Sequence, residues 1–427
     1  MLEKPIKVPE GKRLLNFWRT LGPGLTTGAA DDDPSGIATY SQTGAQFGLK
    51  YAWLALFTFP LMALVQEMCA RIGLVTGRGL AANIRSHFPR WVLMTCTILL
   101  FAANAFNIGA DLGAMSEAIR LLAPNLPFEF LVIVIAGSSL LLQIFVPYHK
   151  YSRYLKYLAI TLLSYVITGF LVKLDWGLAL KSLVIPSLSF GRESIVLITA
   201  ILGTTISPYL FFWQTSQEVE EEIENGKRTV AQRKRVDPND LSKMRFDVWS
   251  GMGVSNIVMF FIIAVCAGTL YAAGVRDITS AAAAAKALEP LAGRFASAIF
   301  AVGIIGTGLL AVPVLAGSAA YAFAEALRWR EGLYRQYHQA KAFYGVIIVA
   351  ILVGLGTNLL HIDPFKTLIY SAVANAFVSP LVLALIVIIA GNKKVMGKHR
   401  NKITSSLFGW ALVLVMTFVC ILSLAII

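Results

Sequence analysis

Apolar stretches long enough to cross a bilayer follow one another almost end to end in this chain, and polar residues break the first and the sixth near their middles. A bilayer core takes about 20 consecutive apolar residues per helical crossing. With 57% hydrophobic and 14% charged residues over 427 positions, the chain lacks the polar surface that a soluble globule of this length needs. The pattern predicts an all-α polytopic membrane protein with eleven transmembrane helices, at residues 18–47, 50–73, 91–122, 127–147, 152–173, 191–219, 244–273, 293–325, 341–360, 364–391 and 404–426.

A formal net charge of +13 raises nucleic acid as a partner, but the cations follow the loops. Lys4, Lys7, Lys12 and Arg13 occupy an N-terminal tail, residues 1–13. Arg78, Arg85 and Arg90, then Lys150, Arg153 and Lys156, then Lys227, Arg228, Arg233, Lys234 and Arg235 fall in alternate loops. Arg328, Arg330 and Arg335 follow, and finally Lys393, Lys394, Lys398, Arg400 and Lys402. This is positive-inside bias, which reads as a multi-pass inner or plasma membrane protein with a cytoplasmic N-terminus and an extracytoplasmic C-terminus. Cys69, Cys96, Cys266 and Cys420 have no paired spacing, so neither a disulfide framework nor a zinc site is expected. Met1 to Arg13 is polar and basic and runs straight into the first span, which argues against a cleavable signal peptide.

The first span carries Asp31, Asp32, Asp33, Pro34, Ser35 and Gly36 in a row. Carboxylates at membrane depth are costly and should face protein or water, while a broken helix frees backbone carbonyls as further oxygen ligands. The alternative is an ordinary loop between two short apolar pieces. Gly203 to Tyr209 breaks the sixth span at Ser207-Pro208 in the same manner. Together the two breaks read as one cation site. Asn104, Asn107 and Asp111 share a face of the third span, suited either to bonding between helices or to the wall of a polar pathway. Ser207, Gln214 and Glu218 share a face beyond the second break, where Glu218 is either part of an inward exit or a solvated helix end ahead of Glu220, Glu221, Glu222 and Glu224. In the tenth span Ser371, Asn375 and Ser379 sit four apart, and Asn375 suits either an outer role at the site or packing. Glu67 and Arg71 read as a local ion pair, and Val75 to Phe88 as a connecting helix.

Broken helices five spans apart are the layout of a five-plus-five inverted repeat with its substrate at midplane. The expected division is a first repeat at 14–173, a second at 174–391, and a loop with a peripheral helix at 392–427.

At these residues the sequence resembles the Nramp family of divalent-metal transporters. The family's first break reads Asp-Pro-Gly-Asn and its second Met-Pro-His, against Asp33-Pro34-Ser35-Gly36 and Ser207-Pro208-Tyr209 here; Gly22-Pro23-Gly24 also fits the family's first helix. The resemblance covers essentially the whole chain and implies the leucine-transporter-type fold with alternating access. It carries the metal-binding aspartate to Asp33 and a contributing backbone carbonyl to Thr204, with Gly36 in place of the asparagine and Ser207 in place of the methionine. Loss of the thioether leaves a hard site suited to magnesium, calcium or manganese, and the smaller side chains should leave room for a hydrated ion. The pattern looks like the Nramp-related magnesium transporter branch.

The family's histidine after the proline is Tyr209 here, and its acidic residue on the third helix aligns with Ile108, leaving Asp111 nearby. His87, His149, His338, His361 and His399 all fall near span ends or in loops, so no histidine titrates at mid-membrane. The expectation is uncoupled uptake of Mg2+ with Mn2+ tolerated; the alternative is a proton-coupled transition-metal transporter of the same family. Asp33, Gly36, Thr204 and Ser207 are the expected metal-site residues. Asp111, Asn107, Tyr209, Gln214 and Asn375 are expected around them or along the path, and Asp31 and Asp32 attract cations or cap the broken helix. A sodium-coupled amino-acid symporter would need a half-helix N-terminus open to a substrate carboxylate, which three acids would repel. An intramembrane aspartyl protease needs paired aspartates on separate helices, a role Asp33 and Asp111 could fill, but Gly303 to Gly308 carries none and three adjacent acids suit a cation better, so no enzyme is expected. Divalent ions and the lipid bilayer are the expected partners, with no cofactor, nucleic acid or obligate protein partner indicated.

Overall fold

The computed structural model describes residues 22–426 except 147, 190, 279, 281–283, 286–288 and 361–363. The expected N-terminal tail, the first residues of the first span and His361 lie outside the described residues.

Every regular element among the described residues is helical, and ten helices are long and apolar enough to cross a membrane. Ten, not eleven, meet that criterion because the first expected span is two short helices, α1 (Pro23–Asp31) and α2 (Pro34–Phe47). Proline has no N–H and its ring crowds the turn before it, so Pro34 starts a helix rather than continuing one. The sixth expected span divides likewise into α3 (Arg192–Thr205) and α4 (Pro208–Glu224). The acidic run from Glu220 to Glu224 is helical rather than loop, and Glu218, Glu220 and Glu222 are buried, so Glu218 is not a solvated end. A short helix, Leu80–His87, occupies the expected connection after the second span.

Polarity is reversed relative to a soluble protein. Phe130, Ile133, Phe145, Phe418 and Leu424 face outward, while Asp31, Asp32, Asp33, Asn107 and Asp111 are fully buried. Outward apolar side chains meet lipid tails at no cost, so helix association relies on close packing and internal hydrogen bonds. Helix α5 (Pro238–Cys266) illustrates both. It lies backbone to backbone on α1, where a Cβ added at Gly24 would sit 2.6 Å from the Val248 nitrogen and one at Gly251 would strike the Gly24 carbonyl. Helix α6 (Arg90–Leu122) and helix α7 (Pro364–Gly391) enclose the two breaks from the other side.

Candidate functional site

Asp33 terminates the extended link between α1 and α2 and caps the second of them. Its Oδ1 accepts the Gly36 N–H at 2.8 Å and the Ser35 hydroxyl at 2.5 Å. Its Oδ2 accepts the Asn107 amide of α6 at 2.7 Å, and the Ser371 hydroxyl of α7 donates to Asn107 Oδ1 at 2.6 Å. A carboxylate offers about four acceptor positions, so three protein donors fix its orientation and leave it capacity for one cation. Neither serine is among the site residues named from the sequence. Ser35 is signalled by the turn chemistry of Asp-Pro-Ser, and Ser371 by its place on the same face as Asn375.

At the second break the polar groups are mutually engaged. The Ser207 hydroxyl donates to the carbonyls of Gly203 and Thr204 at 2.6 and 2.8 Å. Ser379 of α7 donates to the Ile206 carbonyl at 2.6 Å, and Tyr209 reaches across to the Ala30 carbonyl at 2.8 Å. Tyr209 thus ties one broken helix to the other. A Cβ at Gly36 would lie 3.1 Å from Thr204 Oγ1, 3.2 Å from the Asp31 carbonyl and 3.3 Å from the Tyr40 ring. The expected room for a hydrated ion is therefore not open at Gly36 itself: α1, α2 and α3 close around it. Gly36 is the link between the breaks: its N–H goes to Asp33, its open side faces Thr204, and Ser207 bonds the Thr204 carbonyl.

Around them the structure leaves acceptors unpaired. Among the described residues, both oxygens of Asp32 and of Asp111, one oxygen of Asp31, Asn375 Oδ1 and Thr204 Oγ1 are buried without a hydrogen-bond donor. Asp31 takes its single bond from Ser255 of α5 at 2.6 Å. Buried carboxyl groups without donors are strongly unfavourable as free anions, so they bind a cation or a proton. Asn104 turns away to Leu315 and Ser318 and serves helix packing, which separates it from its neighbour Asn107. Gln214 bonds Glu218 at 2.8 Å, on the stretch leading out from the break.

That stretch opens into a cavity of about 760 Å³ lined by Glu218, Glu221, Glu222, Asp240 and Asp247 together with Lys227 and Lys243. Asp247 also caps α1 from outside: it accepts the N–H groups of Gly22, Leu25 and Gly24 at 2.8, 3.2 and 2.7 Å. The first four N–H groups of a helix have no partner within it, and a carboxylate there is favoured by the helix dipole as well. Glu67 pairs with Arg71 at 3.6 Å and with Arg245 at 3.1 Å, so the local pair is part of a three-residue cluster.

Two interrupted helices meeting at buried oxygen donors, inside a bundle with an apolar exterior, define a polytopic transporter of the broken-helix class. The profile described as Natural resistance-associated macrophage protein-like matches residues 24–425, and the chain belongs to the Nramp family. A protein named divalent metal cation transporter MntH from Klebsiella pneumoniae subsp. pneumoniae is 27% identical over 401 residues, spanning 92% of this chain and 90% of the relative. The fold is shared with the Eremococcus coleocola manganese transporter, at TM-score 0.77 and 19% identity over 98% of this chain and 89% of that one. It is shared more distantly with Mhp1, a nucleobase-cation-symport-1 family transporter, at TM-score 0.59 and 12% identity over 95% and 90% of the two chains.

Proposed function

We propose that the chain carries hard divalent cations across the membrane, Mg2+ with Mn2+ tolerated, by alternating access at the Asp33 site and without obligatory proton movement. The observation that carries this reading is the donor set at the two breaks. Asp33, Thr204, Ser207 and the broken-helix carbonyls offer oxygen only, with no thioether, thiolate or imidazole among them, and Asn107 gives its N–H to Asp33. Oxygen ligands suit Mg2+ and Mn2+ and give Cd2+ no soft partner. A Cβ at Gly36 would already lie 3.1 to 3.3 Å from its surroundings, so α1 and α2 must separate from α3 for a hydrated Mg2+ to enter. Mg2+ keeps several waters in most protein sites. Tyr209 stands where the family has its histidine and spends its hydroxyl on Ala30, which leaves the second break without a group that titrates near neutrality. A membrane potential alone then supplies about 4.6 kcal/mol per 100 mV for a divalent ion, twice the single-charge value. The loop cations support a cytoplasmic N-terminus, and an inside-negative potential draws a divalent cation toward that side.

The second reading is a proton-coupled transition-metal transporter. It is favoured by the unpaired carboxyl oxygens of Asp32 and Asp111, which are ready proton acceptors. Uptake of Mg2+ and of Cd2+ into proteoliposomes, with a pH dye inside, separates the two. Mg2+ uptake without acidification, lost in Asp33→Ala, is the expected result. Cd2+ uptake with acidification, and no Mg2+ uptake, would replace the first reading with the second.

A further inference from the structure

Helix α8 (Ile403–Ile426) begins directly after a basic loop, and between that loop and the end of α7 lies a cleft of about 770 Å³. Lys398, Arg400 and Lys402 line it together with Asn401, Ser406 and Trp410, and no carboxylate does. The other two cavities described in this protein are lined by acids and bases together, so their cations are neutralised from within. Among the described residues Lys398, Arg400 and Lys402 form no ion pair.

The cleft floor is built rather than incidental. Asn401 is buried; its N–H donates to the Ala390 carbonyl at 2.8 Å, its Oδ1 takes the Arg71 guanidinium, and its amide contacts Met68 sulfur at 3.4 Å. The first turn of α8 faces the same space through Ser406, whose N–H is taken by the Lys402 carbonyl at 3.0 Å and which adds its hydroxyl to the lining. On the outer side Ile403, Leu407 and Trp410 are exposed by 88%, 68% and 41%, as lipid-facing side chains at the start of a span are. Burial and the neighbouring cations Lys398 and Arg71 hold the pKa of His399 below its ordinary value, which marks the loop as electropositive.

We propose that this cleft binds the phosphate of an anionic phospholipid headgroup, with Lys398, Arg400 and Lys402 around the phosphate and the acyl chains lying along Leu407 and Trp410. Basic pockets beside spans on the cytoplasmic side are suited to such headgroups, and tryptophan is enriched where headgroup gives way to tail. The same cations would serve only to orient the chain if they were dispersed in solvent. Their gathering over a shaped floor, at the lipid boundary and without acids, is what a headgroup requires.

The test is quenching of Trp410 by brominated lipid. Full-length protein is reconstituted in phosphatidylcholine vesicles containing either brominated phosphatidylglycerol or brominated phosphatidylcholine, and the quenching absent from Trp410→Phe is assigned to Trp410. A preference of at least tenfold for phosphatidylglycerol is expected, falling to about parity when Lys398, Arg400 and Lys402 are all changed to Gln. Gly391→Leu provides a variant that keeps every charge. A Cβ there meets only Ser406 Oγ, at 3.9 Å, so the longer side chain enters the cleft, and the preference should fall in a protein that still folds. Equal quenching by both lipids in the unmodified protein would overturn the proposal. So would loss of the preference on adding 10 mM inorganic phosphate at constant ionic strength, because the site would then recognise a free anion.

Discussion

Asn107 donates to Asp33 across 2.7 Å while its own carbonyl oxygen is held by Ser371 at 2.6 Å, so one amide joins the first break to α6 and α7. A hydrogen bond to a charged group contributes about 1.5–3 kcal/mol. Asn107→Ala should therefore raise the apparent Km for Mg2+ by about 10-fold or more. Ser371→Ala leaves the Asn107 amide free to turn and should give a smaller rise in the same direction. Uptake kinetics on the two variants check this; an unchanged Km in Asn107→Ala would remove the Asp33 pocket from the transport path.

Asp247 joins α5 to the start of α1 through three N–H groups, and release of α1 toward the acidic cavity requires all three to part. Asp247→Asn keeps the shape but loses the charge, and capping contributions of about 1–2 kcal/mol correspond to a five- to thirtyfold change in population. A cysteine at Thr26, buried on α1, should react correspondingly faster with a water-soluble maleimide in the Asn variant. The four native cysteines are buried and supply the background. An unaltered rate would show that Asp247 does not hold α1 in place.

The parts legible in sequence were those governed by a single segment. Span positions follow from hydropathy, and the breaks at Asp33 and Ser207 from proline's missing N–H and the acids beside it. What the chain does to itself across space was not legible. Asn104 and Asn107 have the same chemistry three residues apart, yet one packs against Leu315 and the other holds Asp33, because a helix advances about 100° per residue and neighbours on a broad face meet different partners. Ser35, Ser371 and Ser379 are not singled out by sequence because serine is common in spans and its role depends on which acceptor lies opposite. Space at Gly36 does not follow from its missing side chain for the same reason: the neighbour that fills the gap is set across space, and here Thr204 and Tyr40 do.

Backbone contact between α1 and α5 makes a sharp contrast between two nearby glycines. A Cβ at Gly251 strikes the Gly24 carbonyl, whereas one at Gly253 meets Phe59 at 3.5 Å, an ordinary contact. Gly251→Ala should destabilise the protein by about 1–3 kcal/mol, the usual cost of overpacking, and Gly253→Ala should be neutral. Thermal unfolding in detergent checks the order. Equal melting temperatures would mean that α1 is not seated on α5.

Glu331 follows the eighth expected span, and burial together with Glu325 and Glu220 raises its pKa from 4.5 to about 9 against the opposing pull of Arg85 and Arg335. Below pH 4.5 the group is neutral folded or unfolded. Between 4.5 and about 9 the folded protein holds a proton that the unfolded chain has lost, so stability contributed by Glu331 falls as pH rises and is gone above about 9. Glu331→Gln stays neutral throughout. Its melting temperature should exceed that of the unmodified protein increasingly from pH 5 to pH 9, and a constant difference would show that Glu331 titrates normally.

In the proposed site Ser207 stands where a soft ligand would distinguish Cd2+ from Mg2+, and its hydroxyl is committed to the Gly203 and Thr204 carbonyls. Ser207→Met both frees those carbonyls and adds a thioether at the second break, within the proposed site. Thioether sulfur favours Cd2+ and is a poor ligand for Mg2+, so the ratio of Cd2+ to Mg2+ uptake should rise by about 10-fold, the equivalent of about 1.4 kcal/mol. Mg2+ uptake should fall in the same variant because the longer side chain takes space that coordinated water needs. Competition between the two ions in proteoliposomes reads out both effects. A Cd2+ to Mg2+ ratio unchanged by the substitution would place the ion away from the second break and leave Asp33, Asn107 and the orphaned Asp111 as its surroundings.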